Sequence, residues 1–291
     1  MAEPAQPTHR LARLRRGGSE GRIAFGGAVL LLLLVAAFFA PWLAPHDPLA
    51  QDLLASYLPP FWSSDADPLY PLGTDSLGRD VLSRLLYGAR VALMVAVAAA
   101  FFAGLLGTLL GLLAGYFGGW VDMVVSRIVD IWLSFPPVLL SIVLVAVIGS
   151  GLHAVIIAIV VIDWTRFCRV VRAEVLVQRE QDYVASAVTI GLGRWRTLFV
   201  EVLPNVAPLL IVLFSLEMGI AIIVEAVLSF VGLSASSDMP TWGGLIQEGR
   251  LYVHQSWWVM VFPMACIILA VLGLNALGDG LRQRLDPVMR R

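Results

Sequence analysis

Residues 131–172 read IWLSFPPVLLSIVLVAVIGSGLHAVIIAIVVIDWTRFCRVVR. The charged side chains, Asp163, Arg166, Arg169 and Arg172, all fall in the second half. As one helix this stretch would be about 63 Å long, twice the hydrocarbon thickness of a bilayer. Gly149-Ser150-Gly151 supplies the break. The stretch therefore predicts two membrane helices, 131–148 and 152–172, and the Pro136-Pro137 pair predicts an irregular start to the first.

The same logic extends outward. Residues 91–117 carry no charge and predict a helix; its Gly107, Gly111 and Gly115 are spaced four apart and share one face. Small residues at that spacing let membrane helices approach closely. Residues 118–130 read as an amphipathic connector on the membrane surface. Upstream, residues 23–43 are uncharged and follow a basic segment. That apolar core is too long for a cleavable signal peptide, which predicts a retained first span. Downstream, 206–231 and 257–277 predict two more spans. The expectation is an all-α, polytopic membrane protein with six transmembrane helices. Its parts are an N-tail over 1–22, a first span over 23–45 and an ordered external loop over 46–90 with one helix near 78–87. A five-helix core over 91–278 contains a polar loop at 173–205, and a C-tail covers 279–291.

Composition agrees. The 291 residues are 59% hydrophobic and only 14% charged, with a mean hydropathy of +0.84. Soluble domains carry about a quarter charged residues. All 20 basic residues are arginine. Without lysine there is no Walker A loop and no Schiff-base chemistry. Cys168 and Cys266 lie in apolar stretches and read as small buried hydrophobes, and His9, His46, His153 and His254 lack ligand spacing. No metal site is expected. With six spans, 16 arginines fall on the side of the termini and 4 on the other. The positive-inside rule then predicts cytoplasmic termini and a cytoplasmic 173–205 loop.

Ionisable groups inside spans are functional candidates. Asp163 and Arg166 are three apart and placed to pair. Glu217 and Glu225 are eight apart on one helix. A proton-coupled carrier would string such carboxylates along its path; local pairing at a wet interface is the plainer alternative. No Ser/His/Asp arrangement stands out and no H-E-x-x-H is present, so no catalytic residue is expected.

The loop is the most patterned polar segment. It runs Asp182-Tyr183-Val184-Ala185-Ser186-Ala187 to Gly191, then to Val202-Leu203-Pro204-Asn205. Small residues at 185–187 leave a surface that a partner can approach, and Gly191 permits a positive φ. Two short helices joined near Gly191 are expected, the second ending at Pro204.

These residues resemble the E-A-A-x-x-x-G-x(9–10)-I-x-L-P signature of bacterial ABC importer permeases, with Ala185 where the signature has glutamate. Pro71-Leu72-Gly73-Thr74-Asp75-Ser76-Leu77-Gly78-Arg79-Asp80 is similar to the external loop of the dipeptide, oligopeptide and nickel group. Gly115-Tyr116-Phe117-Gly118-Gly119, Leu228-Ser229-Phe230-Val231-Gly232-Leu233, Pro240-Thr241-Trp242-Gly243 and Leu285-Asp286-Pro287 resemble further stretches of it. The long first external loop resembles that of the group's C-type subunit. The resemblance implies a permease that binds no cofactor and hydrolyses no ATP. It also implies partners: a second, homologous permease, two cytoplasmic ATP-binding subunits and an extracytoplasmic solute-binding protein. Di- or oligopeptides are the first-choice solutes; nickel chelates and glutathione belong to the same group. The resemblance places the ATPase-coupling contact on residues 182–187, 191 and 202–205.

Overall fold

The computed structural model describes residues 8–234 and 239–285, with side chains from residue 19 onward. The start of the N-tail and Asp286-Pro287 lie outside the described residues. The described chain is helical, with no β-strand: α1 (Thr8–Leu43), α2 (Val81–Phe117), α3 (Gly119–Leu133), α4 (Pro137–Ile148), α5 (Leu152–Gln178), α6 (Asp182–Thr189), α7 (Arg194–Arg196), α8 (Leu203–Phe230), α9 (Trp242–Leu251) and α10 (Trp257–Leu285).

Apolar side chains lie on the outside as well as the inside. On α1, Leu31, Leu32, Phe38 and Trp42 are exposed while Val29, Leu33 and Ala37 are buried. A surface of this kind is stable against lipid or another subunit, not against water. Four helical segments are long and apolar enough to cross a membrane: Ser19–Leu43, Val81–Phe117, Arg194–Phe230 and Trp257–Leu285. A fifth arises if α3 and α4, bent by 90° across residues 134–136, are taken together. The expected span at 152–172 is helical as α5, but Asp163, Arg166 and Arg169 sit in its middle and it fails the same criterion.

Several boundaries differ from the sequence reading. The chain is already helical from Thr8, through the segment expected as a tail. The short helix expected near 78–87 and the span expected from residue 91 are one helix, α2, which starts at Val81 because Asp80 caps it by accepting from the Ser83 amide at 2.9 Å. The charged residue in its first turn, Arg84, is neutralised by carboxylates, so the helix need not wait for the uncharged run. The connector expected over 118–130 is the first arm of a bent pair, and its bend falls later, at Ser134-Phe135-Pro136. Pro136 is extended, as the residue before a proline must be, and Pro137 opens α4.

The core is built on α2, which packs along α5 and also meets α1 and α8, while α1 packs along α10. Small residues make the α2–α5 approach close. A Cβ at Gly107 would collide with the Trp164 carbonyl and Phe167. One at Gly111 would meet the Cys168 carbonyl at 2.8 Å, and one at Gly115 would meet Val175 at 2.8 Å.

The segment 71–80 gains a physical meaning here. Gly73 and Gly78 both have positive φ, and a Cβ at Gly78 would strike the Asp52 carbonyl. The Thr74 hydroxyl donates to the Ala55 carbonyl at 2.5 Å and accepts from the Leu58 amide at 2.9 Å. The Trp258 indole donates to the Thr74 carbonyl at 3.0 Å, tying the loop to α10.

Candidate coupling face and mid-span charge cluster

Tyr183 begins the attachment of α6 to the body, donating its hydroxyl to Gln178 at 2.7 Å. Burial pushes that hydroxyl above its ordinary pKa. Val184 then enters a small apolar core with Leu112, Val171, Val175, Leu198, Val202 and Val206, drawn from α2, α5, the following π-turn and α8. α6 is thus bolted to the ends of three long helices. Its outward face carries Asp182, Ala185, Ser186 and Thr189. The expectation of a free Ala185-Ser186-Ala187 surface needs one correction: Ala187 is buried against the chain itself, one turn after Val184.

The turn after α6 closes in a Schellman motif. The Leu192 amide donates to the Ala187 carbonyl and the Gly191 amide to the Val188 carbonyl, each at 3.0 Å. Gly191 has φ +87°, and a Cβ there would meet nothing within 4 Å. The glycine is required by its backbone conformation, not by crowding.

Beyond the turn the expected second short helix is not separate. α7 runs through a π-turn over Thr197–Val202 directly into α8. The Leu203 amide reaches back five residues to the Leu198 carbonyl, just ahead of Pro204. Pro204 therefore sits inside a continuous helix, where its missing donor falls beside a register change. Leu203 is half-buried, whereas Pro204 and Asn205 are exposed, with the Asn205 amide donating to the Glu201 carbonyl at 2.7 Å. Val188, Ile190 and Trp195 add exposed apolar surface next to α6, and Trp195 stacks on Phe199.

A second cluster lies midway along α5 and α8. Arg166 donates through Nη1 to Glu217 Oε2 at 3.0 Å, and its Nη2 lies 3.5 Å from Asp163 Oδ1. Glu217 is 1% exposed, and its Oε1 has no hydrogen-bond partner among the described residues. Glu225 is equally buried but is held separately, accepting from Ser229 at 2.5 Å and Ser234 at 3.2 Å.

A third cluster is one that sequence reasoning missed. Asp75 accepts from its own loop at the Leu77 and Arg79 amides, from the Arg79 side chain at 2.7 Å, and from Arg84. Glu248 on α9 accepts from both arginines at 2.7 Å. The partners are more than 160 residues apart in the chain. The only available signal was the density of charge in 75–84.

Comparison with known proteins places the chain in a family. The family described as binding-protein-dependent transport system inner membrane component matches residues 107–291, and the N-terminal TM domain of oligopeptide transport permease C matches residues 24–60. The chain is 40% identical over 268 residues to a protein of Pseudomonas aeruginosa named di/tripeptide transport system permease protein DppC, covering 92% of this chain and 88% of that one. It is 42% identical over 266 residues to the dipeptide transport system permease protein DppC of Escherichia coli K12, covering 91% and 89%. A glutathione transport system permease protein, GsiD of Pectobacterium atrosepticum, is 39% identical over 271 residues, covering 91% and 86%. Among solved structures, a chain of the inward-facing MetNI methionine ABC transporter superposes with a TM-score of 0.59 at 18% identity, over 70% of this chain and 96% of that one. That likeness speaks to the fold.

Proposed function

The chain belongs to the binding-protein-dependent transport system inner membrane component family, a multi-pass inner-membrane permease subunit of an ABC importer, and from that premise we propose its solute, its partners and its coupling contact. The solute is a di- or oligopeptide, the class for which its near relatives are named. The chain lines half of the path; a second, homologous permease lines the rest. Two cytoplasmic ATP-binding subunits power the cycle, and an extracytoplasmic binding protein delivers the peptide. The chain hydrolyses no ATP and binds no cofactor. Both termini are cytoplasmic, on the arginine-rich side.

The observation that carries the coupling role is the mounting of α6. Its outer face offers the small residues Ala185 and Ser186, while Val184 packs with side chains of α2, α5, the π-turn and α8. An ATPase gripping that face moves three long helices together. ATP binding favours one arrangement of the subunits and its loss the other, by differential affinity.

The test is reconstitution with the partner permease, ATPases and binding protein in proteoliposomes. Peptide uptake should require ATP and persist without a proton gradient. Uphill uptake driven by a proton gradient alone would instead favour a carrier working through Glu217 and Glu225.

A further inference from the structure

Arg166 is the fifteenth residue of the 27-residue α5, and Glu217 the fifteenth of the 28-residue α8. Each is about 21 Å from the start of its helix, at membrane depth. The Arg166 side chain is nevertheless 40% exposed in the isolated chain. A guanidinium carries five N–H donors. Two contacts, to Glu217 and Asp163, occupy one side of it. Among the described residues its remaining donors meet no acceptor. One turn on along the same face of α5, Arg169 is exposed and paired with Asp130 on α3 at 3.2 Å, so charge continues from mid-span toward the end of the helix that carries α6. Donors left open to hydrocarbon are strongly disfavoured, so this face meets water, solute or protein.

The buried partners set what the site can bind. Asp163 and Glu217 oppose the arginine charge from behind and hold its plane in place. The two carboxyls are also hydrogen-bonded to each other, which makes them one support for the arginine. A guanidinium neutralised in this way still donates hydrogen bonds but exerts little net pull on an anion. That suits a step that must hold a passing solute briefly and let it go.

We infer that Arg166, clamped by Glu217 and Asp163, is a solute-contacting station in the translocation path, donating hydrogen bonds to the carbonyl and carboxylate oxygens of the peptide. This deepens the reading above and rests on it. Glu217 and Asp163 are positioning residues.

The experiment uses the full complex in proteoliposomes. Arg166→Cys, in a chain carrying Cys168→Ala and Cys266→Ala, is treated with a membrane-impermeant thiosulfonate in the nucleotide-free state. Modification at position 166 is expected. In parallel, Arg166→Gln with Glu217→Gln, whose side-chain amides can both donate to the remaining Asp163 carboxylate, should assemble and hydrolyse ATP normally. Its peptide uptake should fall roughly tenfold, the loss expected for hydrogen bonds from a charged donor. Inaccessibility of position 166, unchanged uptake in the double variant, or joint loss of assembly and uptake would overturn the inference; the last would mark a contact between subunits. Failure of the wild-type complex to take up peptides would strike the proposed substrate instead, so the two readings fail separately.

Discussion

Two charged clusters in this protein use the same side chains in opposite ways. In the cluster at the start of α2, Arg79 and Arg84 each meet both Asp75 and Glu248, so two cations face two anions. Asp75 is 1% exposed and accepts two backbone amides besides. In the mid-span cluster one cation faces two carboxylates, and its outer side is open. The first cluster is balanced in charge, although Arg84 Nε has no partner among the described residues, and it joins three segments: the loop, the start of α2, and α9. The second is supported from behind and presented outward. A charge-balanced network that joins three segments serves to hold structure; one whose single cation is partly exposed midway along its helix is placed to meet something else.

The largest effect should come from opening the charge-balanced cluster. Arg84→Ala leaves Asp75 buried with less than its full complement of charge. Breaking a buried pair on one side costs about 3–5 kcal/mol, so thermal unfolding of the purified complex should fall markedly. Glu248→Ala should cost less, because Glu248 is partly exposed. If Arg84→Ala unfolds like wild type, the contrast between the clusters is lost.

Next in size is Gly111→Leu. Its side chain would be driven into the Cys168 carbonyl and Val171 on α5. Overpacking of this kind costs about 1–3 kcal/mol, and assembled complex in membranes should drop. Normal assembly would mean that α2 and α5 can separate without penalty, and the framework that positions Arg166 would be looser than described.

A smaller, purely conformational effect is expected at Gly191. Valine there suffers the left-handed backbone penalty of about 1–2 kcal/mol and no clash. Gly191→Asn, which tolerates that conformation, should recover most of the coupling between hydrolysis and uptake that Gly191→Val loses. Equal behaviour of the two variants would show that positive φ is not the reason for this glycine.

Much of the fold was legible because uncharged runs announce membrane helices directly, as at 91–117. Less was legible where charge lies within a helix. Arg84 hid that the short helix read near 78–87 is continuous with the span that follows it, and the partners of Asp163, Arg166 and Arg169 are not named by their own stretch. In both places carboxylates from elsewhere in the fold compensate the charge, and a linear reading cannot see them. Gly191 was legible because a Schellman turn has a local signature. The inward turn of Ala187 was not, since Ala185, Ser186 and Ala187 are all small and only the packing of Val184 fixes which of them faces out. The Asp75–Glu248 link was invisible in principle, because nothing in the local sequence of either residue names the other.

The account's central claim is that α6 transmits force from an ATPase to the helices that bear the mid-span cluster. Ser186→Trp tests it most directly, because Ser186 is exposed and its replacement disturbs no contact within the chain. The measurement is peptide uptake and ATP hydrolysis together, in proteoliposomes containing every subunit. The account predicts normal membrane insertion and an uptake per ATP hydrolysed at least roughly tenfold below wild type, the consequence of overfilling a fitted contact. Wild-type uptake per ATP in Ser186→Trp would contradict it.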